Sequence, residues 1–149
     1  MEMRFAVMLA LARARPCVRA SLGLHPYHVG EFTAGTLVEL ERLIRLPEVV
    51  AVGEIGLDYS ANNASTPRDL QLEVLDRFLT ASKTWGMPVV LHCRDAYPDL
   101  IAALQRHFHG PPTRGRFWGV VHCFSGTPDA AAACAELGFA LGADGPVTY

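Results

Sequence analysis

Short apolar runs in this chain repeatedly end in a polar side chain, and this recurrence restricts the fold more than any other feature. The polar residues are His25, Glu54, His92 and His122, roughly 30 to 40 positions apart, which is the length of a strand–helix repeat. Strands that alternate with helices of this size form right-handed βαβ units and a parallel sheet, so that all strand ends open on one side. We therefore expect the four side chains to converge.

The clearest of these runs covers residues 49–52 and is followed by Gly53, Glu54 and Gly56. A strand without polar alternation is covered on both faces, as in a parallel sheet. Glu54 is therefore predicted at the carboxyl end of a buried strand, where α/β sheets and barrels place their chemistry. The two glycines allow a close approach of the backbone. A capping or ion-paired glutamate is the alternative interpretation.

Length and composition indicate one globular α/β domain over residues 1–149. Half of the residues are hydrophobic and 19% are charged, which excludes a disordered chain. A complete eight-stranded barrel typically needs about 250 residues, more than this chain has. The net charge of −2 gives no basic footprint, so a nucleic-acid substrate would have to be bound through local phosphate contacts and metal.

The four cysteines and the N-terminal run indicate the cellular compartment. The cysteines occur singly, without a Cys-x-x-Cys pair, which predicts reduced thiols in a cytoplasmic or nuclear protein. The apolar run 5–12 is far shorter than the roughly 20 residues of a membrane span. Because Glu2 precedes it and arginines follow it, we interpret it as a helix packed on the sheet rather than a signal peptide. No membrane association and no obligate protein partner are expected.

Imidazoles and a carboxylate at neighbouring strand ends are typical of a site for a hard or borderline divalent cation. A Cys/His zinc cluster is the alternative, because cysteine follows histidine at 92–93 and at 122–123. Successive strand residues point to opposite faces, so each cysteine is predicted to face the helix layer. Arg94 lies two positions after His92, where it can clamp a phosphate. A structural ion pair with Asp95 or Asp99 is the other possibility for this arginine.

Four ordered motifs carry a resemblance to a known family. They are GLHP at 23–26, GEIGLDY at 53–59, PVVLHCR at 88–94 and HCFSG at 122–126. Together they resemble the successive signatures of the TatD family of metal-dependent deoxyribonucleases, from about residue 17 onward. The resemblance implies a TIM-type (β/α) barrel and hydrolysis of phosphodiester bonds, usually from DNA ends, with RNA as a possible second substrate.

The resemblance also implies a cofactor and a role for each candidate residue. Two divalent metal ions are expected, with Mg²⁺ as the first choice and Mn²⁺ or Zn²⁺ as alternatives. By analogy, Glu54 bridges both ions, while His92 and His122 each coordinate one. His25 and Arg94 are expected to contact the substrate phosphate.

The sequence departs from the family pattern in two places. The opening His-x-His motif of the first strand and the late aspartate of the last strand are absent. The chain thus resembles strands two to six of eight, as expected for a fragment, a truncated isoform or an incomplete gene model. Asp144 is a candidate replacement for the late aspartate, although it falls in what resembles the sixth strand and its loop. Another hydrolase of the same superfamily and a non-catalytic truncated product are the alternative functions.

Overall fold

Five parallel strands form one sheet in a computed structural model that describes residues 2–110, 112 and 115–144. The strands follow one another in the sheet as they do in the chain, and every neighbouring pair is parallel. Their bounds are β1 Ala20–Leu22, β2 Val49–Asp58, β3 Val89–Arg94, β4 Gly119–Val121 and β5 Phe139–Leu141.

A helix precedes β1, and helices separate each strand from the next. The link between β3 and β4 contains α4, and the stretch that follows this helix includes residues outside the described ranges. The α-helices are α1 Glu2–Ala14, α2 Ala34–Leu43, α3 Arg68–Trp85, α4 Tyr97–His107 and α5 Pro128–Glu136, with short 3₁₀ helices at Pro26–Glu31 and Ala61–Asn63. None of the described helices is both long and apolar enough to cross a membrane.

The sequential, all-parallel order confirms the predicted fold class, an incomplete (β/α) barrel. Among the described residues, β1 and β5 each pair with one neighbouring strand only. The sheet is not fully covered, since Val50 of β2 is 46% exposed. The first helix packs on the sheet as predicted, since Phe5 and Leu9 are buried in the core.

The core lies between the sheet and its helices. Phe78 and Leu79 of α3 are fully buried, as are Leu100 and Leu104 of α4. These side chains join the strand residues in one hydrophobic cluster, and burial of each stabilises the fold by about 1.5–3 kcal/mol. The helix layer thereby holds β2 and β3 in a fixed register, which places the polar side chains of these two strands next to each other.

The prediction that Glu54 lies at the end of its strand is wrong, because β2 continues to Asp58. The pairing of β2 with β3 is irregular between Val52 and Ile55 and resumes from Ile55 onward. Gly56 lies within this resumed stretch with a φ of 147°. Glu54 therefore projects from the middle of a long strand, and Asp58 takes the terminal position.

Gly56 is required by its contact with β3. A Cβ atom at this position would collide with the backbone carbonyl oxygen of His92, and its positive φ is unfavourable for any L side chain. The glycine therefore lets β2 approach β3 closely at its pairing with His92. The predicted need for close backbone approach is confirmed here.

We expect Gly56→Ala to lower the free energy of unfolding by more than about 2 kcal/mol, because both the backbone conformation and the contact with His92 are lost. Gly35→Ala is the matched control, since its added Cβ would lie 3.6 Å from the Oγ1 atom of Thr33, an ordinary contact in a helix. The control should stay within about 1 kcal/mol of the parent. Urea denaturation followed by circular dichroism makes the comparison, and equal stabilities of the two variants would contradict it.

Candidate metal centre

Three of the four predicted side chains converge at the carboxyl-terminal edge of the sheet. The Nδ1 atom of His92 lies 3.2 Å from the Oε1 atom of Glu54, and the ring centres of His25 and His92 are 4.4 Å apart. All three side chains are half-buried, and one ligand atom from each lies within 4.8 Å of the others. A carboxylate and two imidazoles at this spacing can hold a divalent cation.

His92 lies between two carboxylates. Its second ring nitrogen, Nε2, is 2.9 Å from the Oδ2 atom of Asp58. Burial lowers the pKa of His92, but the hydrogen bonds to Glu54 and Asp58 outweigh it, and the pKa is raised overall. The pKa of Glu54 is lowered, chiefly by the hydrogen bond from His92 and against the opposing effect of burial. Without a metal ion, the two carboxylates therefore favour the charged imidazolium form of His92, and His92 favours the ionised form of both carboxylates.

Asp58 is held in place by a network of its own. Its side chain is only 1% exposed, and Oδ1 accepts hydrogen bonds from the backbone N–H of Ser60 at 2.9 Å and from the Ser60 hydroxyl. Burial raises the pKa of Asp58, but these bonds and the one from His92 lower it overall. The buried side chain of Gln71 in α3 forms two hydrogen bonds with the backbone of Asp58. Its amide oxygen accepts from the N–H of Asp58 at 2.8 Å, and its amide nitrogen donates to the carbonyl of Asp58 at 3.0 Å.

Sequence reasoning missed Asp58 and Gln71 as members of the site. The available signal was strand periodicity, since residues 54, 56 and 58 fall at alternate positions of one strand and so share a face. The prediction that the strand ends at Glu54 leaves Asp58 outside it, although β2 continues to Asp58. Gln71 gave no signal of its own, because a polar residue in the first turns of a helix is ordinarily exposed.

His25 is oriented by the start of the first 3₁₀ helix, where it is the N-cap residue. Its Nδ1 atom accepts a hydrogen bond from the backbone N–H of Tyr27 at 3.3 Å. Burial lowers the pKa of His25, and the positive charge of His92 lowers it further. A neutral imidazole whose Nδ1 is an acceptor carries its proton on Nε2. His25 therefore offers an N–H donor to the site.

His122 belongs to a neighbouring cluster rather than to the group around Glu54. Its Nε2 atom lies 3.2 Å from the Sγ atom of Cys123, which donates a hydrogen bond to the Oδ2 atom of Asp144 at 2.7 Å. The pKa of Cys123 is raised to about 11, chiefly by that bond. His122 is close enough to Glu54 to contribute to the lowering of the pKa of Glu54. The prediction that the four side chains converge is thus confirmed for His25, Glu54 and His92, whereas His122 lies in the adjacent cluster.

The predicted orientation of the two cysteines is right for Cys93 and wrong for Cys123. Cys93 is 3% exposed and lies in the core behind the sheet. Cys123 follows the end of β4 and has a φ of 47°. This left-handed conformation breaks the alternation of a strand, so the thiol lies on the same side as the ring of His122.

Arg94 is exposed at the end of β3. It forms no ion pair with Asp95 or Asp99 in the part of the chain that the structure describes, and Asp99 instead accepts a hydrogen bond from the hydroxyl of Tyr59 at 2.8 Å. The structural ion pair is therefore not found, and a role in phosphate binding stays a prediction.

A candidate cation site on the carboxyl-terminal side of a parallel (β/α) sheet is typical of metal-dependent hydrolases with a barrel fold. Comparison with known proteins identifies the family within this class. The sequence model described as TatD related DNase matches residues 2–149. The chain belongs to this family, which confirms the resemblance of its motifs.

Individual relatives agree with this assignment. The chain is 38% identical over 145 residues to a protein of Erwinia billingiae named 3'-5' ssDNA/RNA exonuclease TatD, covering 97% of this chain and 52% of the relative. It is 41% identical over 142 residues to a protein of the same name from Edwardsiella piscicida, covering 94% of this chain and 52% of the relative. The crystal structure of YjjV, a TatD homologue from Escherichia coli, superposes with a TM-score of 0.86 at 36% identity, covering 99% of this chain and 54% of that chain. The chain thus spans about half the length of these relatives.

The stability of the metal-free protein should depend on pH through His92. A raised pKa means that the interactions of His92 stabilise the fold fully below its ordinary value of 6.5, and that this contribution is lost as the pH rises through the raised pKa. Glu54 and Asp58 stay ionised at about pH 5.5, because their pKa values are lowered from 4.5 and 3.8. We expect His92→Gln to cost about 1–2 kcal/mol of unfolding free energy at about pH 5.5 and less at about pH 9.

Denaturation in the presence of a chelator measures this difference. His109→Gln is the matched control, since His109 is exposed and outside the site, and it should show no pH-dependent loss. A cost for His92→Gln that increases with pH would contradict the assigned charge state.

Proposed function

We propose that this chain provides part of the active centre of a divalent-metal-dependent nuclease that hydrolyses phosphodiester bonds at the ends of DNA, with single-stranded RNA as a second substrate. The supporting observation is the contact of the Glu54 carboxylate with the Nδ1 atom of His92 at 3.2 Å. Membership in the TatD-related family and the names of the relatives, which include 3'-5' ssDNA/RNA exonuclease, agree with this proposal.

The proposed ligands are Glu54 and His92 from the first cluster and His122 from the second. Glu54 lies on β2, between β1, which precedes His25, and β3, which carries His92. Its carboxylate has two oxygens, so it is our candidate for a ligand that two ions would share. Mg²⁺ is our first choice of ion, and Mn²⁺ and Zn²⁺ are alternatives. A bound divalent ion would lower the pKa of a water molecule and offset the charge of the phosphate.

Asp58 has the geometry of a positioning residue for His92. When Nδ1 of His92 faces a cation, the proton that remains on the ring must be on Nε2, which lies 2.9 Å from the Asp58 carboxylate. A carboxylate in this place fixes the tautomer and the orientation of a metal-binding imidazole and makes it a better ligand. Gln71 in turn holds the backbone of Asp58 from α3. The helix layer therefore controls the direction of the His92 ring.

Two residues are assigned to the substrate phosphate. The ring of His25 lies beside that of His92, and its lowered pKa favours the neutral form, which can donate a hydrogen bond through Nε2–H without repelling a cation. Arg94 is exposed at the end of β3, where a flexible guanidinium can reach a phosphate and bind it through two parallel hydrogen bonds. Binding through a few local contacts is consistent with the net charge of −2.

A broader hydrolase activity is the second candidate function. The relatives include proteins of Bacillus subtilis and Escherichia coli whose names specify only a metal-dependent hydrolase. An amide, lactone or phosphotriester would then replace the nucleic acid as the substrate. The two candidates are separated by measuring, with the same protein and metal, the rate of cleavage of single-stranded DNA and the rates of hydrolysis of a panel of such small substrates. Faster cleavage of DNA favours the nuclease, and faster hydrolysis of a small substrate favours the second candidate.

Glu54→Gln tests the proposed function. The substitution preserves the shape of the side chain but removes its charge, so we expect metal-dependent cleavage of end-labelled single-stranded DNA to fall by about 100-fold or more. The assay is made on this chain and on any longer polypeptide that contains it, with calorimetry of Mn²⁺ binding as a second readout. The free energy of unfolding should fall by no more than about 1–2 kcal/mol, because the glutamine side-chain oxygen can still accept a hydrogen bond from His92.

Glu73→Gln is the matched control, since Glu73 is exposed on α3 and pairs only with Arg77 in the described contacts. This variant should bind Mn²⁺ and cleave DNA like the parent. If Glu54→Gln also cleaved DNA and bound Mn²⁺ like the parent, Glu54 would not be a ligand and the proposal would fail.

A further inference from the structure

We propose that His122, Cys123 and Asp144 form a zinc-selective site in which the Cys123 thiolate is a metal ligand. The proposal shares His122 with the nuclease function proposed above but goes beyond it, because a thiolate takes no part in that chemistry. It would give the chain two neighbouring cation sites of different character. The site around Glu54 offers oxygen and nitrogen atoms, whereas this one adds sulfur.

The donor atoms already have the spacing of a metal site. The Sγ atom of Cys123 lies 3.2 Å from Nε2 of His122 and 2.7 Å from Oδ2 of Asp144, and one ligand atom of each residue lies within 4.8 Å of the others. In a tetrahedral zinc site, with Zn–S and Zn–N distances of about 2.3 and 2.0 Å, ligand atoms are about 3.5 Å apart. Small side-chain rotations would therefore suffice to bind the ion.

The backbone brings these residues together in two ways. The left-handed conformation of Cys123 places two successive side chains on one side. Gly142 lies two residues before Asp144. Its backbone N–H donates a hydrogen bond to the carbonyl of Val121 at 2.8 Å, and its carbonyl accepts one from the N–H of Phe124 at 2.9 Å. The segment that carries Asp144 is thus hydrogen-bonded on both sides of the His122–Cys123 pair. The juxtaposition follows from the sheet and does not depend on a single side-chain contact.

The chemistry of the three donors favours zinc over magnesium. A thiolate, an imidazole and a carboxylate suit a borderline-soft ion, whereas Mg²⁺ prefers oxygen ligands in an octahedral arrangement. In the metal-free structure the thiol proton is donated to Asp144. Binding of zinc would replace this proton with a sulfur–metal bond and release the proton to solvent. Three protein ligands leave a fourth position for water, as in zinc sites that are open to substrate.

Cobalt(II) titration of the reduced, metal-free chain tests the proposal, because cobalt takes the place of zinc and a cysteine ligand gives a charge-transfer absorption band. We expect this band in the parent chain and its loss in Cys123→Ser. Zinc affinity, measured by competition with a chromogenic chelator, should fall by about 10-fold or more in Cys123→Ser and in Asp144→Asn. Magnesium affinity should be unchanged in Cys123→Ser.

Two controls make the result specific. Cys17→Ser removes an exposed thiol outside the cluster and should keep the band, and circular dichroism verifies that each variant is folded. His92→Gln, which removes a proposed ligand of the other ion, should also keep the band even if it abolishes nuclease activity, so failure of the proposed function and failure of this site are distinguishable. A parent chain without the band, or a band that survives in folded Cys123→Ser, would overturn the proposal. Loss of the band in folded His92→Gln would overturn it as well, since the cobalt ion would then be held by the group around His92.

Discussion

The position of His92 between two carboxylates is the interaction on which the rest of the site depends. An imidazole that bonds Glu54 through one nitrogen and Asp58 through the other has little freedom to rotate. This arrangement requires β2 and β3 to approach closely at Gly56, and it requires the helix layer to hold Asp58 through Gln71. The core therefore fixes the direction of one ring at the candidate metal centre.

Much of the fold could be predicted from the sequence, because strand–helix alternation and apolar patterning are local properties. The repeat spacing placed His25, Glu54 and His92 near one another, and all three converge. The register within β2 could not be predicted, because glycines that usually end a strand here allow it to continue against β3. Asp58 was missed for this reason. The assignment of roles to these residues remains a proposal.

The environment of Cys123 shows a second limit of prediction from sequence. Strand alternation predicted that both cysteines face the helices, and the rule holds for Cys93, which lies inside β3. It does not hold for Cys123, because β4 ends at Val121 and the backbone turns directly afterwards. The alternation of side chains between the two faces requires regular strand geometry, so it no longer holds one or two residues past a strand end. Functional side chains commonly lie at such positions.

The central claim is that Glu54 and His92 together hold a divalent cation. Anomalous X-ray diffraction from crystals of this chain grown with Mn²⁺ tests it most directly, since the ion is located without reference to activity. The account predicts an anomalous peak bonded to a carboxylate oxygen of Glu54 and to Nδ1 of His92, with Nε2 of His92 still bonded to Asp58. Mn²⁺ bound elsewhere in the molecule, with the hydrogen bond between Glu54 and His92 intact, would contradict the account.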